Sequence, residues 1–288
     1  MKEKFNGYQL FDGRFVVIAS MHKKEEVIAP VLEKELGVRC FTIPHFNTDV
    51  FGTFSGEVDR IHSPIETLKM KALAALDLCE ADIVVASEGS FGPHPSSFFV
   101  PANEEYVIFL DKKHNLEVVG RYLTFNTNFN QENINTFSDL EEFKTLIGYP
   151  QHGIIIKVKD NSEGVELVYK DFESTEVLDT TVINAIENKQ KVVAQTDMRA
   201  LHNPTRMLAI EQATINLIKN ISVACPSCKT LGFTITEVIP GLPCESCRFP
   251  TKSSKSYIYA CKACNYEEIR PREDILFEDP TFCDFCNP

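Results

Sequence analysis

Long apolar runs are missing from this chain. No stretch approaches the ~18 apolar residues that a membrane-crossing helix requires, so such a helix is not expected. The opening MKEKFNGYQLFDGRFVVIAS holds no apolar block of its own, and a secretory leader is not expected either. Cysteine is scarce in the first 224 residues, where only Cys40 and Cys79 occur. Basic charge is also short: 29 Lys and Arg stand against 41 Asp and Glu, a net charge of −12, which argues against a surface built to grip a polyanion along its whole length. Internal repeats and low-complexity tracts are absent from residues 1–223. What remains is a globular cytoplasmic protein of 288 residues, 43% hydrophobic and large enough for two domains.

The last 64 residues reverse the cysteine pattern. Cys225/Cys228, Cys244/Cys247, Cys261/Cys264 and Cys283/Cys286 form four Cys-x-x-Cys pairs, separated by 15, 13 and 18 residues. A two-residue spacer aims both sulfurs of a pair at one ion, and two pairs complete a tetrahedral zinc site. Eight ligands therefore imply two structural zinc ions, with no open coordination position for a substrate. The middle pairs can share one zinc with the outer pairs nested around them, or successive pairs can share; the spacing leaves both open. The expected division is a body over 1–223 and a zinc ribbon over 224–288. From Cys225 onward seven Lys and Arg face nine Asp and Glu, so a nucleic-acid role is not favoured by charge.

Along the body, FVVIAS reads as a strand, and the following helix carries Val27, Val31, Leu32 and Leu36 before Gly37 ends it. VRCFTIP is a second strand, and FNTDVFGTFSGEVDR a Gly-rich loop. Ser63-Pro64-Ile65-Glu66 predicts a capped helix start, with Ile65, Leu68, Ala72, Leu76 and Cys79 as its buried stripe. ADIVVA reads as a buried strand that breaks into a Gly/Pro loop at SEGSFGPHP. A hairpin, a short helix capped by Ser138, two strands, a helix, a strand and a final helix from Pro204 to Ile221 complete the order. The fold class is α/β: a layered mixed sheet with flanking helices and a central cleft, plus the small ribbon.

Three polar stretches fall at expected strand ends. Ser20-Met21-His22-Lys23-Lys24 offers a hydroxyl, backbone amides and lysines to a phosphate, with Ser20 and Lys23 as the contacts. Ser87-Glu88-Gly89-Ser90 sets a carboxylate among small residues, where Glu88 can hold magnesium and Ser87 and Ser90 can bind substrate. Asp197 to Arg206 gathers Asp197, Arg199, His202, Asn203, Thr205 and Arg206 around one turn, and arginine suits phosphate because its planar fork donates in parallel. His94 is a candidate proton shuttle. Glu66 has a capping role ready but can also face the cleft, and Glu57 and Asp59 are weaker candidates. Core packing accounts for Cys40 and Cys79.

In order, IASMHKKEEVIAPVLEKEL, IETLKMKALAAL, ADIVVASEGSFGP, the hairpin VIFLDKKHNLEVVGRYLTF and PTRMLAIEQATINLI resemble the inosine/xanthosine triphosphate pyrophosphatase superfamily, in its non-standard purine NTP phosphatase branch, over residues 15–221. That resemblance implies an elongated α/β fold with a central cleft, phosphate held by Ser20 and Lys23, magnesium near Glu66 and Glu88, and nucleotide or phosphate on Arg206. The whole chain also looks like a bacterial family with a domain of unknown function, through GTFSGEV, ASEGSFGPHP, the NPTRM turn and CDFCNP. The expected function is a magnesium-dependent hydrolase of a nucleotide or phosphoester, with Glu88, Glu66 and Asp197 as catalytic candidates. The alternative is a nucleotide-sensing adaptor whose ribbon meets a protein or RNA partner. A homodimer is compatible with both.

Overall fold

The computed structural model describes residues 8–51, 63–94, 97–159 and 166–287. The Gly-rich loop candidates Glu57 and Asp59 lie outside them. A short helix α1 (Tyr8–Phe11) leads into β1 (Phe15–Ala19), α2 (Glu25–Leu36), β2 (Arg39–Thr42), α3 (Pro64–Leu76), β3 (Ile83–His94), β4 (Ser97–Asp111) and β5 (Leu116–Thr124). These strands form one sheet in the order β2-β1-β3-β4-β5, parallel from β2 to β3 and antiparallel from β3 to β5. A second sheet, β6-β9-β7-β8, is built from β6 (Gln131–Ile134), β7 (Ile154–Lys159), β8 (Glu166–Tyr169) and β9 (Lys191–Thr196), with α4 (Phe137–Ile147) and α5 (Thr175–Glu187). The last helix of the body, α6 (Pro204–Ile221), returns to the first sheet.

Apolar side chains explain why the helices lie where they do. Val16, Ile18, Val85, Val107 and Phe109 bury one face of the first sheet with Ile28, Leu32 and Leu36 of α2 and Ile210, Ala213 and Leu217 of α6. Val17, Val84, Ala86 and Ile108 bury the opposite face with Leu68, Ala72 and Leu76 of α3. A separate core joins Leu140 and Phe143 of α4 and Leu178 and Val182 of α5 to Ile154, Ile156, Val192 and Ala194 of the second sheet. The expected α/β class with flanking helices holds. Gly37 ends α2 in the left-handed conformation at φ 70°, as its position in the sequence implied.

Two local expectations are corrected. SEGSFGPHP is not a loop: β3 runs on to His94, and Ser87 through Gly92 each pair with a residue of β4. The apolar pattern stops at Ala86 because β1 stops there too, at the pair Ala19 with Ala86, so the rest of β3 leaves the covered core while keeping its β4 ladder. The cap of α4 is Thr136 rather than Ser138, because Asp139 is placed to return the bond: Thr136 Oγ1 accepts from the Asp139 amide while Asp139 Oδ2 accepts from the Thr136 amide at 3.0 Å. The polar stretch before it also contributes a strand, β6.

The tail forms a third sheet, β10 (Thr234–Pro240), β11 (Ser254–Ala260) and β12 (Glu267–Pro271), antiparallel throughout. Phe233, buried at the head of this sheet, packs with Tyr259 and Tyr266. Lys262 pairs with Glu117 of β5, which also holds Lys69 of α3 at 2.6 Å.

Candidate functional site

Where β3 outruns β1, the open strand edge gathers buried charge. Ser20 follows β1, and its hydroxyl accepts from the Lys24 amide at 3.2 Å, which fixes the turn into α2. Lys24 is buried, and its ammonium donates to the Ser87 carbonyl at 3.2 Å, just past the last residue that β1 pairs. Lys71, on the inner side of α3, bonds Glu88. On the other face of β3, Arg206 Nε donates to Glu105 Oε1 at 2.8 Å, Arg206 Nη1 reaches the Met198 carbonyl, and its guanidinium lies 5.0 Å from the Phe91 ring centre. Gly89 is what lets that pair approach the strand: a Cβ there would stand 2.6 Å from Glu105 Oε1 and 2.8 Å from Arg206 Nη2.

Three buried cations, Lys24, Lys71 and Arg206, therefore accompany two buried carboxylates, Glu88 on one face of the sheet and Glu105 on the other. Arg206 and Lys71 each hold a carboxylate, whereas among the described residues the Lys24 ammonium meets a backbone carbonyl and no carboxylate. Burial, then repulsion from Arg206 and Lys71, pulls the Lys24 pKa down to about 7. His22 is pushed down to about 3, first by burial and then by Lys24, Arg206, Arg199 and Lys71, so four cations bear on one neutral imidazole. Three buried oxygens on β3 and β4 have no hydrogen-bond partner among the described residues: Ser87 Oγ, Asn103 Oδ1 and Glu105 Oε2. Ser87 pairs with Val107, Gly89 with Glu105 and Phe91 with Asn103, and cross-strand partners share a face, so all three oxygens lie on the α6 side of the sheet.

The turn before α6 is equally ordered. Asn203 is fully buried; its Oδ1 caps α6 by accepting from the Arg206 amide at 2.9 Å, and its Nδ2 donates to the Asp197 carbonyl at 3.1 Å. Arg199 bonds both Asp197 and Asp171, with closest contacts of 2.7 and 2.6 Å. Against the lowering effect of burial, those bonds raise the Arg199 pKa. His202 reaches Asp171 at 2.8 Å, and Thr205 meets His152 at 2.9 Å. Asp171, Asp197 and His202 border a cavity of about 290 Å³ with Tyr149 and Phe172.

Most of the residues singled out from sequence thus come together: Ser20, Ser87, Glu88, Asp197, Arg199, Asn203 and Arg206. Lys23 does not. It occupies the left-handed region at φ 58°, its side chain is 64% exposed and its carboxylate contact, Glu26, is 3.9 Å away, so the buried lysine of that turn is Lys24. Glu66 completes the expected capping box on the exposed start of α3, accepting from the Ser63 amide at 2.9 Å. Ser90 is half-buried on β3, and His94 closes that strand opposite Ser97. Lys24, Lys71 and Glu105 were missed. The last two carried a signal: Lys71 falls within the apolar stripe of α3, and Glu105 is in phase with Val107 and Phe109 along β4.

The eight tail cysteines form two tetrads, Cys225/Cys228/Cys261/Cys264 and Cys244/Cys247/Cys283/Cys286. Neither expected pairing occurs; the four pairs interleave. The reason is the sheet: one strand separates each pair from the next, and every antiparallel strand carries the chain to the opposite end, so odd pairs meet at one end and even pairs at the other. Sulfur separations across the tetrads are 3.8 and 3.6 Å in the first and 3.9 and 3.6 Å in the second. A tetrahedron with metal–sulfur bonds of 2.3 Å has edges of about 3.8 Å, so both donor sets fit zinc.

Fold and sites define an α/β protein with buried charged side chains at an open strand edge and a cross-braced zinc ribbon, and no described helix is long and apolar enough to cross a membrane. The chain belongs to the DUF6671 family, a domain of unknown function, whose profile matches residues 71–288. That span holds Lys71, Glu88, Glu105, Arg206 and all eight tail cysteines. Among solved structures, the crystal structure of protein VC0702 from Vibrio cholerae is similar at 12% identity and a TM-score of 0.31, covering 72% of this chain and 94% of that one. No curated protein matches.

Proposed function

We propose that the cleft binds a nucleotide or related phosphorylated small molecule and hydrolyses it with magnesium, and that residues 1–223 carry this activity while 224–288 form a separate ribbon. The observation that carries the reading is the cation left over among Lys24, Lys71 and Arg206: a buried ammonium without a carboxylate among the described residues is a place for a ligand's negative charge. Arg206 and Arg199 bring planar donor forks to the same region. The resemblance to the inosine/xanthosine triphosphate pyrophosphatase superfamily supplies the substrate class.

Magnesium takes hard oxygen donors, and the buried carboxylate of Glu88 is one. Glu88, at the open strand edge, would hold the ion, which would neutralise phosphate charge and lower the pKa of a bound water, while Glu105 stays with Arg206 on the opposite face of the sheet. Asp197 and Glu66, with Arg199 and the α3 cap as partners, fit positioning better than metal binding. A cation on Glu88 and an anion beside Lys71 would replace the Lys71–Glu88 pair with two pairs to the ligand, keeping each buried charge compensated.

Pure full-length protein incubated with magnesium and a panel of nucleoside triphosphates and phosphoesters, followed by phosphorus NMR, tests the reading. Turnover of at least one member, lowered about 100-fold or more in Glu88→Gln, is expected. An inert panel, or turnover untouched by that substitution, contradicts it.

A further inference from the structure

The two ends of the ribbon differ in how they treat their aromatic residues. At the first tetrad Phe233 is buried against Tyr259 and Tyr266, and Arg270 covers Phe233 at 5.5 Å from its ring centre. At the second, Phe249 and Phe285 stack on each other with ring centres 4.8 Å apart and planes within 13°, yet they remain 55% and 67% exposed. Each follows or sits within a zinc knuckle, so the tetrad that holds Cys247 to Cys283 also fixes the two rings side by side. Leu276 is 74% exposed beside Phe277, whose ring is covered on one side by Arg248 at 4.0 Å. A rigid cluster of apolar surface on a polar ribbon is the mark of an interaction site rather than of a core.

Charge decides what fits it. Glu245 and Asp284 stand within the two Cys-x-x-Cys knuckles that carry the rings, the Glu245 amide donates to the Glu278 carbonyl at 2.9 Å with Asp279 next in the chain, and both cations near the knuckle are engaged, Arg248 on Phe277 and Lys252 with Asp284 at 2.9 Å. A divalent ion held by four thiolates adds further negative charge at the same end. A polyanion would be repelled there, whereas Lys or Arg around an apolar anchor would be attracted. We propose that the knuckle bearing Phe249 and Phe285 docks a protein segment that combines apolar side chains with Lys or Arg. The Phe pair supplies the anchor and the four carboxylates select the partner's charge.

Selection of random twelve-residue peptides displayed on phage against the immobilised full chain tests this. Enriched sequences should mix apolar residues with Lys or Arg. Their synthetic counterparts should bind at least tenfold more weakly to a Phe249→Ala/Phe285→Ala variant and to a Glu245→Lys/Asp284→Lys variant, each shown to retain two zinc ions per chain. The second variant leaves the rings in place, so loss in it cannot be laid to a collapsed knuckle. No enrichment, enrichment of acidic peptides, or binding unchanged in both variants overturns the proposal. So does tighter binding of a mixed-sequence single-stranded RNA than of any selected peptide, or self-association of the chain that vanishes in the Phe variant.

Discussion

Lys23 and Lys24 are neighbours in sequence and opposites in the molecule. One left-handed residue at φ 58° turns Lys23 to solvent and carries Lys24 under the cover of the cleft. Turn geometry of this kind leaves no periodic trace, which is why Lys23 was singled out from the sequence and the buried Lys24 was not. Glu88 and Arg206 were legible because a charged residue at the end of an apolar strand or the start of a long helix stands out. Glu105 was hidden by its neighbour Glu104, which makes the arm look like an ordinary solvated hairpin. Lys24 has a folded pKa of about 7, below its ordinary 10.5. Between those values the unfolded chain binds more protons, so the native protein gains stability as pH rises through the window, and the full penalty applies below about 7. Replacing Lys24 by Met is therefore expected to stabilise the unliganded protein at pH 6.5, by about 2–5 kcal/mol, with the gain shrinking toward pH 10. Denaturant unfolding at several pH values checks this; a variant less stable at pH 6.5, or a gap that does not narrow, contradicts it.

Helix caps show how much an element's start can carry. Ser63 and Glu66 were readable as a capping box because the motif is local and self-contained, and the structure has it. Asn203 looked like the same device but does more: it is fully buried, caps α6 and donates to the Asp197 carbonyl and to Asn128 Oδ1 at 2.9 Å. Ser63→Ala should cost about 0.5–2 kcal/mol and leave the cleft unaltered. Asn203→Ala should cost about 2–4 kcal/mol, because it strands buried donors and acceptors as well as the helix end. Paired urea titrations decide it; equal losses would show that Asn203 is only a cap. The length of β3 was unreadable for a related reason: hydrophobic pattern reports burial, and β3 continues as a strand after its apolar cover ends. The tail strands hid the cysteine pairing in the same way. Knuckle spacing is insensitive to strand direction, and only the alternation of β10, β11 and β12 sends the pairs to alternate ends.

Across the whole molecule, the division into sheets was partly legible and the contacts between them were not. The sharp change in cysteine content marked the ribbon, but nothing in the sequence joined Lys262 to Glu117 of the first sheet and, through it, to Lys69 of α3. Interleaved ligands also bind the two zinc sites into one unit, since the segments closing one tetrad run through the other. Cys228→Ser should accordingly lower zinc content from two ions per chain toward none rather than to one, with the body's unfolding transition kept. Elemental analysis with calorimetry reads both, and a stable one-zinc form would contradict the coupling.

The central claim is that Lys24, Lys71, Glu88, Glu105 and Arg206 form one site for a phosphate chain. Titration calorimetry of inorganic tripolyphosphate with magnesium into the full-length protein at pH 8, in two buffers of different ionisation enthalpy, tests it most directly. An anion beside Lys24 raises its depressed pKa, so binding with net proton uptake is expected, with the uptake gone in Lys24→Met and affinity falling as pH rises above about 7. No binding, or binding with the same proton count in wild type and Lys24→Met, would contradict the account.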